Sequence, residues 1–336
     1  MSLQANNWNG DPMETSNPTI SVVICTWNRA NWLESTLRSL SAQAGVRKDA
    51  IECVVVDNNS VDGTRSLVER FAKDWPLGRL IYVFEPRQGK QFALNRAVRV
   101  TSNEILAFTD DDIDLPQNWL LEIQRLFSSA QVDLAGGKTL IGWGARGKPG
   151  WFAPDMLAIL AGVDLGDKQL APAPPEYAPG GSNLIARRSL FDAVGLFSET
   201  HFRHMDYEFG MRCQQRGVRI IYEPKLVVQA PVDERCLTKK YFRHWAFKAG
   251  IGRSGGIDAA GRPPRVARWI YRQLLEDAWA HLTSSGGLDE AQSFSRELRM
   301  WRALGTVSNA WHGWLRPSTH ATWVEQRSQK KNGLYA

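Results

Sequence analysis

Three consecutive carboxylates, Asp110, Asp111 and Asp112, close the apolar run of EILAFTDDDIDLP. Like charges repel, so such a triplet is either a solvated acidic turn or a site that a cation neutralises. A hard divalent ion such as Mg2+ or Mn2+ uses one or two protein carboxylates and completes its sphere with phosphate oxygens and water. Three further polar clusters also follow apolar runs directly: Thr26 to Arg29, Asp57 to Ser60, and Arg87 to Lys90. A second acidic pair, Asp206 and Glu208, stands near the start of HFRHMDYEFGMRCQQRGVRIIYEP, just after His201 and His204. Those histidines are either contacts for a metal or acceptor, or ordinary structural side chains.

The elements that must position these groups follow from periodicity. TISVVICTW, IECVVVD, LIYVFEP and EILAFTD read as buried parallel strands. Helical spacing follows the first two, in Ala30, Leu33, Leu37 and Leu40 and then in Leu67, Val68 and Phe71, and a helix is expected over Lys90 to Val100. Strand and helix in alternation predict an α/β fold, a doubly wound, mainly parallel sheet with right-handed crossovers. Functional residues in such sheets gather beyond the carboxyl ends of the strands, where all four clusters fall. Residues 187 to 194 read as a helix ending at Gly195, Pro116 as the start of the next helix, and the Gly- and Pro-rich segment 142 to 181 as a long loop. There is no GxGxxG fingerprint and no Walker A loop, which weakens a dinucleotide or ATPase reading.

The chain has 336 residues, 43% hydrophobic and 23% charged, enough for one large domain and a smaller one. No run of about 18 apolar residues predicts a spanning helix. Residues 1 to 17 are polar, lack an apolar core and read as a disordered lead-in with no secretory signal. Cys25, Cys53, Cys213 and Cys236 form no CxxC pair, which argues against zinc or disulfides and fits a reducing cytoplasm. Residues 1 to 234 hold 24 Lys+Arg against 28 Asp+Glu, a net −4, whereas residues 235 to 336 hold 17 against 7, a net +10. That basic third also carries seven of the 14 tryptophans. Helical faces are expected in it, with Val266, Trp269, Ile270, Leu274 and Ala278 on one helix and Phe294, Leu298 and Trp301 on another. Such composition fits either an anionic membrane surface or tryptophans packed inward; no nucleic-acid module accompanies it.

Six blocks, SVVICTWNR, VVVDNNSVDGT, EPRQGKQFALNRAV, FTDDDIDLPQNWL, GGSNLIARRSLFDAVGLF and MDYEFGMRCQQRG, occur in the order and approximate spacing of family 2 glycosyltransferases. The resemblance implies a GT-A domain over residues 18 to 235, followed by a basic helical region over residues 236 to 336. It implies inverting transfer of a sugar from a nucleotide-diphosphate sugar, usually UDP-linked, to an acceptor hydroxyl with Mn2+ or Mg2+. Matched block by block, Thr26, Asn28, Arg29, Asp57, Asn59, Gly89, Lys90, Asp110, Asp111, Gly181 and Asn183 would border the nucleotide sugar. Asp57 would hold the base, although a turn cap explains it equally, and Lys90 could be a plain surface lysine. Asp112 would bind the metal and Asp206 would be the general base, with Glu208 assisting it or only serving the helix start.

The sequence departs from that family at Met205, where a Glu is common, and at Gln229 and Ala230, where some members carry a histidine. The processive QxxRW motif is incomplete in YFRHW, which favours single additions over polymerisation. A carbohydrate or lipid-linked acceptor on the cytoplasmic face of a membrane, as in cell-surface polysaccharide or glycolipid synthesis, is the corresponding expectation. A sugar-phosphate nucleotidyltransferase would share this sheet and metal, but its Gly-rich basic loop is missing after VVICTW. A non-catalytic sugar-nucleotide binding protein would have no use for intact Asp112 and Asp206.

Overall fold

The computed structural model describes residues 17–129, 131–199, 205–253, 265–283 and 289–329. Residues 1 to 16 of the lead-in expected over 1 to 17, and His201 and His204, lie outside the described residues. Packing divides the chain into two units, one of residues 1–140 and 163–230, the other of residues 141–162 and 231–336.

The first unit alternates strand and helix: β1 (Ile20–Thr26), α1 (Ala30–Ser41), β2 (Ile51–Asp57), α2 (Thr64–Ala72), β3 (Arg79–Phe84), α3 (Lys90–Val100), β4 (Ile105–Asp110) and α4 (Trp119–Phe127). It continues through β5 (Leu134–Gly142), β6 (Leu184–Arg187), α5 (Arg188–Val194), α6 (Met205–Gln215) and β7 (Ile220–Pro231). The seven strands lie in the order β3-β2-β1-β4-β6-β5-β7. The first four run parallel, and β6 is antiparallel to both β4 and β5.

Successive residues of a strand face opposite sides, so each strand feeds two cores. Val22, Ile24, Val55 and Ala107 meet Leu33, Leu37 and Leu40 on one face. Val23, Val54, Val56 and Phe108 meet Ala93, Leu94 and Phe191 on the other. Central strands buried on both faces read as continuous apolar runs, which is why they were visible in the sequence. Pro116 lies just ahead of α4, its carbonyl accepting from Trp119 N–H at 2.9 Å.

In the second unit, α7 (Lys239–Arg253), α8 (Arg268–Thr283), α9 (Glu290–Leu315) and α10 (His320–Gln329) follow the short 3-10 helix Pro154–Leu160. The segment expected as a loop over 142 to 181 is therefore divided. Phe152, Met156 and Ile159 pack with Phe242, Ala246, Phe294 and Leu298 into one core. Helices α7 and α9 approach closely: a Cβ on Gly305 would lie 2.1 Å from the Phe247 carbonyl oxygen, and one on Gly250 2.0 Å from that of Arg302. Trp245 and Trp301 pack against the aromatic core. Trp269, expected to share a face with Val266, Ile270, Leu274 and Ala278, is exposed, as are Trp279, Trp311 and Trp314. Among the described residues no helix is long and apolar enough to cross a membrane.

Candidate active site

Parallel pairing sets Thr26 level with Asp57 and Cys25 level with Asp110, so the segments after β1, β2 and β4 emerge along one edge of the sheet. There Thr26 Oγ1 donates to Asp111 Oδ2 at 2.7 Å. The Arg29 fork spans two carboxylates, Nη1 to Asp111 Oδ1 at 2.9 Å and Nη2 to Asp112 Oδ2 at 2.6 Å. Lys90, the first residue of α3, pairs with Asp110. Each member of the triplet thus has a cation from this chain, which offsets the repulsion that the sequence raised.

Electrostatics follow from that arrangement. Burial pushes the Asp111 carboxyl up to about 6, with Arg29 and the Thr26 hydrogen bond pulling the other way. Burial lowers the Lys90 ammonium, but Asp110 and Asp206 outweigh it and hold the group above its ordinary value. Lys90 is therefore a fixed positive charge across the physiological range.

Asp206 stands in the first turn of α6, where the helix dipole favours a carboxylate. Its Oδ2 accepts the Gly181 N–H at 2.7 Å, and its Oδ1 accepts the Tyr207 N–H at 2.9 Å. A Cβ on Gly181 would lie 3.4 Å from Asp206 Oδ2 and 3.5 Å from Lys90 Nζ. A side chain at Gly181 would therefore approach both the Asp206 carboxylate and the Lys90 ammonium, the latter already paired with Asp110. Glu208 does not join them: it pairs with Arg212 at 2.8 Å, whose guanidinium also binds the Val194 and Leu196 carbonyls.

The remaining expected residues divide into shapers of the edge and parts of the core. Asp57 is buried, its Oδ1 accepting the Ser60 N–H at 2.8 Å and its Oδ2 the Tyr82 hydroxyl at 2.7 Å. It caps the turn as well as standing at the edge. Burial, and then the bond to Asp57, raise the Tyr82 hydroxyl above its ordinary value. Asn28 and Asn59 have φ of 52° and 66° and serve as left-handed turn residues. Asn28 Oδ1 accepts the Val61 N–H at 2.8 Å, and Asn59 Nδ2 donates to the Pro86 carbonyl at 3.3 Å. Gly89, with φ of 142°, leads into α3 in a conformation that a side chain rarely adopts. Asn183 is buried, accepting from Trp119 Nε1 at 3.0 Å and donating to the Lys138 and Leu226 carbonyls.

Two side chains escaped the sequence reading. Asn58 donates to the Arg87 carbonyl at 2.6 Å and accepts the Gly89 N–H at 2.7 Å, fixing the loop that carries Lys90. Gln91 is buried with neither amide atom hydrogen-bonded among the described residues. Position in the cluster after β2 could have flagged Asn58; nothing in the sequence distinguished Gln91.

Among the described residues no group of three or more His, Cys, Asp or Glu side chains is arranged to hold a metal. The triplet nonetheless offers a hard donor, because Arg29 takes Oδ2 of Asp112 and leaves Oδ1 with no partner among the described residues. Such a donor fits a divalent cation that shares its sphere with substrate oxygens. Gln229 binds Asp114 through its backbone, N–H to carbonyl at 2.9 Å, and adds no imidazole.

Comparison with solved structures gives the same fold. A mannosyltransferase from Pyrobaculum calidifontis in complex with GDP-Man and Mn2+ superposes with a TM-score of 0.54 at 22% identity, over 96% of this chain and 88% of that one. TarS of S. aureus in complex with UDP-GlcNAc gives 0.51 at 18% identity, over 92% and 88%. The fold is GT-A, with a helical C-terminal region. Among curated proteins, glycosyltransferase AglE of Haloferax volcanii is 33% identical over 125 residues, 37% of this chain and 40% of that protein's length. Succinoglycan biosynthesis protein ExoM of Rhizobium meliloti is 26% identical over 237 residues, 69% of this chain and 72% of ExoM. A family model described as Glycosyl transferase family 2 matches residues 21–154, and one described as Glycosyl transferase family group 2 matches residues 105–313, more than half of the chain. With the strand-edge carboxylates, Asp206 beside Gly181 and the GT-A sheet already in place, these matches make the chain a member of the family 2 glycosyltransferases.

Proposed function

We propose that the chain transfers a sugar from a nucleotide-diphosphate sugar to an acceptor hydroxyl, with inversion at the anomeric carbon. The observation that supports this reading is that the Asp206 carboxylate and the Lys90 ammonium, itself paired with Asp110, both border the point that a Cβ on Gly181 would occupy, at 3.4 and 3.5 Å. A carboxylate and a cation bordering one small space supply the two groups that a displacement uses: a base for the attacking hydroxyl and positive charge for the leaving group.

In the proposed reaction, Asp206 takes the proton of the acceptor hydroxyl as its oxygen attacks the anomeric carbon. The bond from that carbon to the diphosphate oxygen breaks on the opposite side, and the diphosphate leaves with the electron pair. Lys90 and Arg29 present positive charge to that group, and Gly181, by lacking a side chain, leaves room for the sugar. Thr26, Asp57, Asn58 and Gly89 hold the edge that borders the nucleotide. A divalent cation, Mn2+ or Mg2+, would be held by Asp112 with the substrate diphosphate and would stabilise the charge developing on it.

The relatives bear on the substrate class. ExoM is named for succinoglycan biosynthesis, and solved neighbours hold GDP-Man or UDP-GlcNAc. A nucleotide sugar, UDP-linked by the family pattern, is the donor class in this reading, and a carbohydrate or lipid-linked hydroxyl the acceptor. Peripheral attachment to an anionic membrane belongs to the same proposal: Trp269 and Trp279 are 61% and 71% exposed on α8, where Arg268 and Arg272 are also exposed. Flotation with anionic vesicles at low salt tests that part, and absence of binding overturns it.

The donor is tested by thermal-shift screening of nucleotide sugars with and without Mn2+. A selective donor raises the melting temperature of the parent through binding linkage, and the Mn2+-dependent part of that rise is absent in Asp112→Asn. A screen in which no nucleotide sugar stabilises the chain contradicts the proposal.

A further inference from the structure

Gln91 is the second residue of α3 and is 1% exposed, yet neither its Nε2 nor its Oε1 has a hydrogen-bond partner among the described residues. A carboxamide carries two N–H donors and an acceptor oxygen, and burying one that makes no bond opposes folding. Buried polar groups are almost always paired, so an amide kept in this state calls for a reason.

Its surroundings narrow that reason. Gln91, Leu94, Asn95 and Val98 recur at i, i+3, i+4 and i+7 and share one buried face of the helix. Asn95 fixes where that face looks: it donates to the Phe197 carbonyl at 2.9 Å and accepts the Phe197 N–H at 3.0 Å. Leu94 and Val98 belong to the same core as Phe197, Met205 and Phe209. Gln91 therefore lies on the side of α3 turned to the start of α6, which carries Asp206, and is one residue from Lys90. Its amide is folded back over the start of α3, since a Cβ on Gly89 would stand 2.8 Å from both Nε2 and Oε1. Asn58 already takes the Gly89 N–H at 2.7 Å, so the amide makes no bond to the glycine that covers it. Holding no bond, it turns toward an incoming group without breaking one.

We propose that Gln91 binds a hydroxyl of the donor's sugar, its amide turning out beside Lys90 when the nucleotide sugar occupies the strand edge. Both amide atoms lack a partner, so the missing group must both donate and accept. A hydroxyl does both, whereas an ionised phosphate oxygen only accepts and would leave Oε1 unmatched. A nucleobase edge offers the same pair of functions, but Asp57, the residue expected to hold the base, stands at the end of β2. Gln91 instead follows Lys90, whose ammonium borders the point that a Cβ on Gly181 would occupy, where the sugar has room. This contact rests on the glycosyl transfer proposed above, and it makes Gln91 a determinant of which sugar is taken.

Gln91→Met keeps the length of the side chain and removes both polar atoms. Calorimetry with Mn2+ compares it with the parent on UDP-glucose, UDP-galactose, UDP-GlcNAc and GDP-mannose, each beside UDP or GDP. For a nucleotide sugar that the parent binds, the variant is expected to lose about tenfold or more in affinity, with that for the nucleoside diphosphate kept within about twofold. Without ligand it is expected to melt no lower than the parent, because a buried unpaired amide has been removed. In the parent, the side-chain amide protons of Gln91 are expected to shift in NMR spectra with the nucleotide sugar and not with the diphosphate alone. Unchanged affinity for the nucleotide sugar, or an equal loss on nucleotide sugar and diphosphate, overturns the contact and leaves glycosyl transfer standing. A variant that melts well below the parent also overturns it, because the amide would then be bonded in the free chain. A parent that binds none of these compounds contradicts glycosyl transfer and the contact together.

Discussion

The backbone N–H of Gly181 donates a 2.7 Å hydrogen bond to Oδ2 of Asp206, tying the start of α6 to the segment before β6. Because Gly181 also lies close to the Lys90 ammonium, any side chain there approaches both the Asp206 carboxylate and that cation. Gly181→Ala would sit at ordinary contact distances, so its fold is expected to hold within about 0.5 kcal/mol. Gly181→Val would fill the space, and transfer is expected to fall more than tenfold with an unchanged melting temperature. Steady-state rates beside melting curves check both.

Arg29 reaches Asp111 and Asp112 with its two guanidinium nitrogens, a geometry that a lysine ammonium cannot reproduce. Arg29→Lys is expected to raise the donor KM roughly tenfold, about 1.4 kcal/mol of lost interaction, while kcat changes less. An unchanged KM would mean that the fork does not organise the donor site.

Asp111 gives a pH dependence of defined sign. Its carboxyl is raised to about 6 from an ordinary 3.8, with burial the largest cause, so the folded chain binds this proton more tightly than the unfolded one. The contribution to stability is present at low pH and is lost as pH rises through about 6. Relative to Asp111→Asn, the parent is expected to lose roughly 2 kcal/mol between pH 4.5 and pH 7.5. Chemical denaturation of both proteins at the two pH values measures it, and parallel behaviour would contradict it.

In the second unit, Gly305→Ala sets a methyl group 2.1 Å from the Phe247 carbonyl oxygen, so α7 and α9 must separate. A loss of about 3 kcal/mol or more is expected, seen as a lower melting temperature. Gly252→Ala on the same α7 meets no neighbouring atom within 4 Å and serves as the control.

The sequence showed the parallel half of the sheet because Ile20–Thr26, Ile51–Asp57 and Ile105–Asp110 are buried on both faces and read as apolar runs ending in polar residues. It hid β5, whose Gly136 and Gly137 resemble a turn. There a Cβ would meet the Tyr177 hydroxyl at 2.6 Å and the Leu226 carbonyl oxygen at 2.0 Å, so the glycines record tight packing. It hid β6 because four residues run straight into α5. At the site, spacing brought out the aspartates and Lys90, whose charge is visible in any sequence. The core bonds of Asn183 were not legible because an amide that binds core carbonyls and one that binds a ligand are the same letter. The exposure of Trp269 was not legible because an apolar stripe states which residues share a face, and only packing decides whether that face is covered.

The most direct test of the account is the turnover of Asp206→Asn with the donor found by screening, measured beside its donor affinity. The account predicts a rate lower by about 10²- to 10⁴-fold with donor affinity within a few-fold of the parent, because the base acts on the acceptor proton alone. Transfer at the parent rate in Asp206→Asn would contradict it.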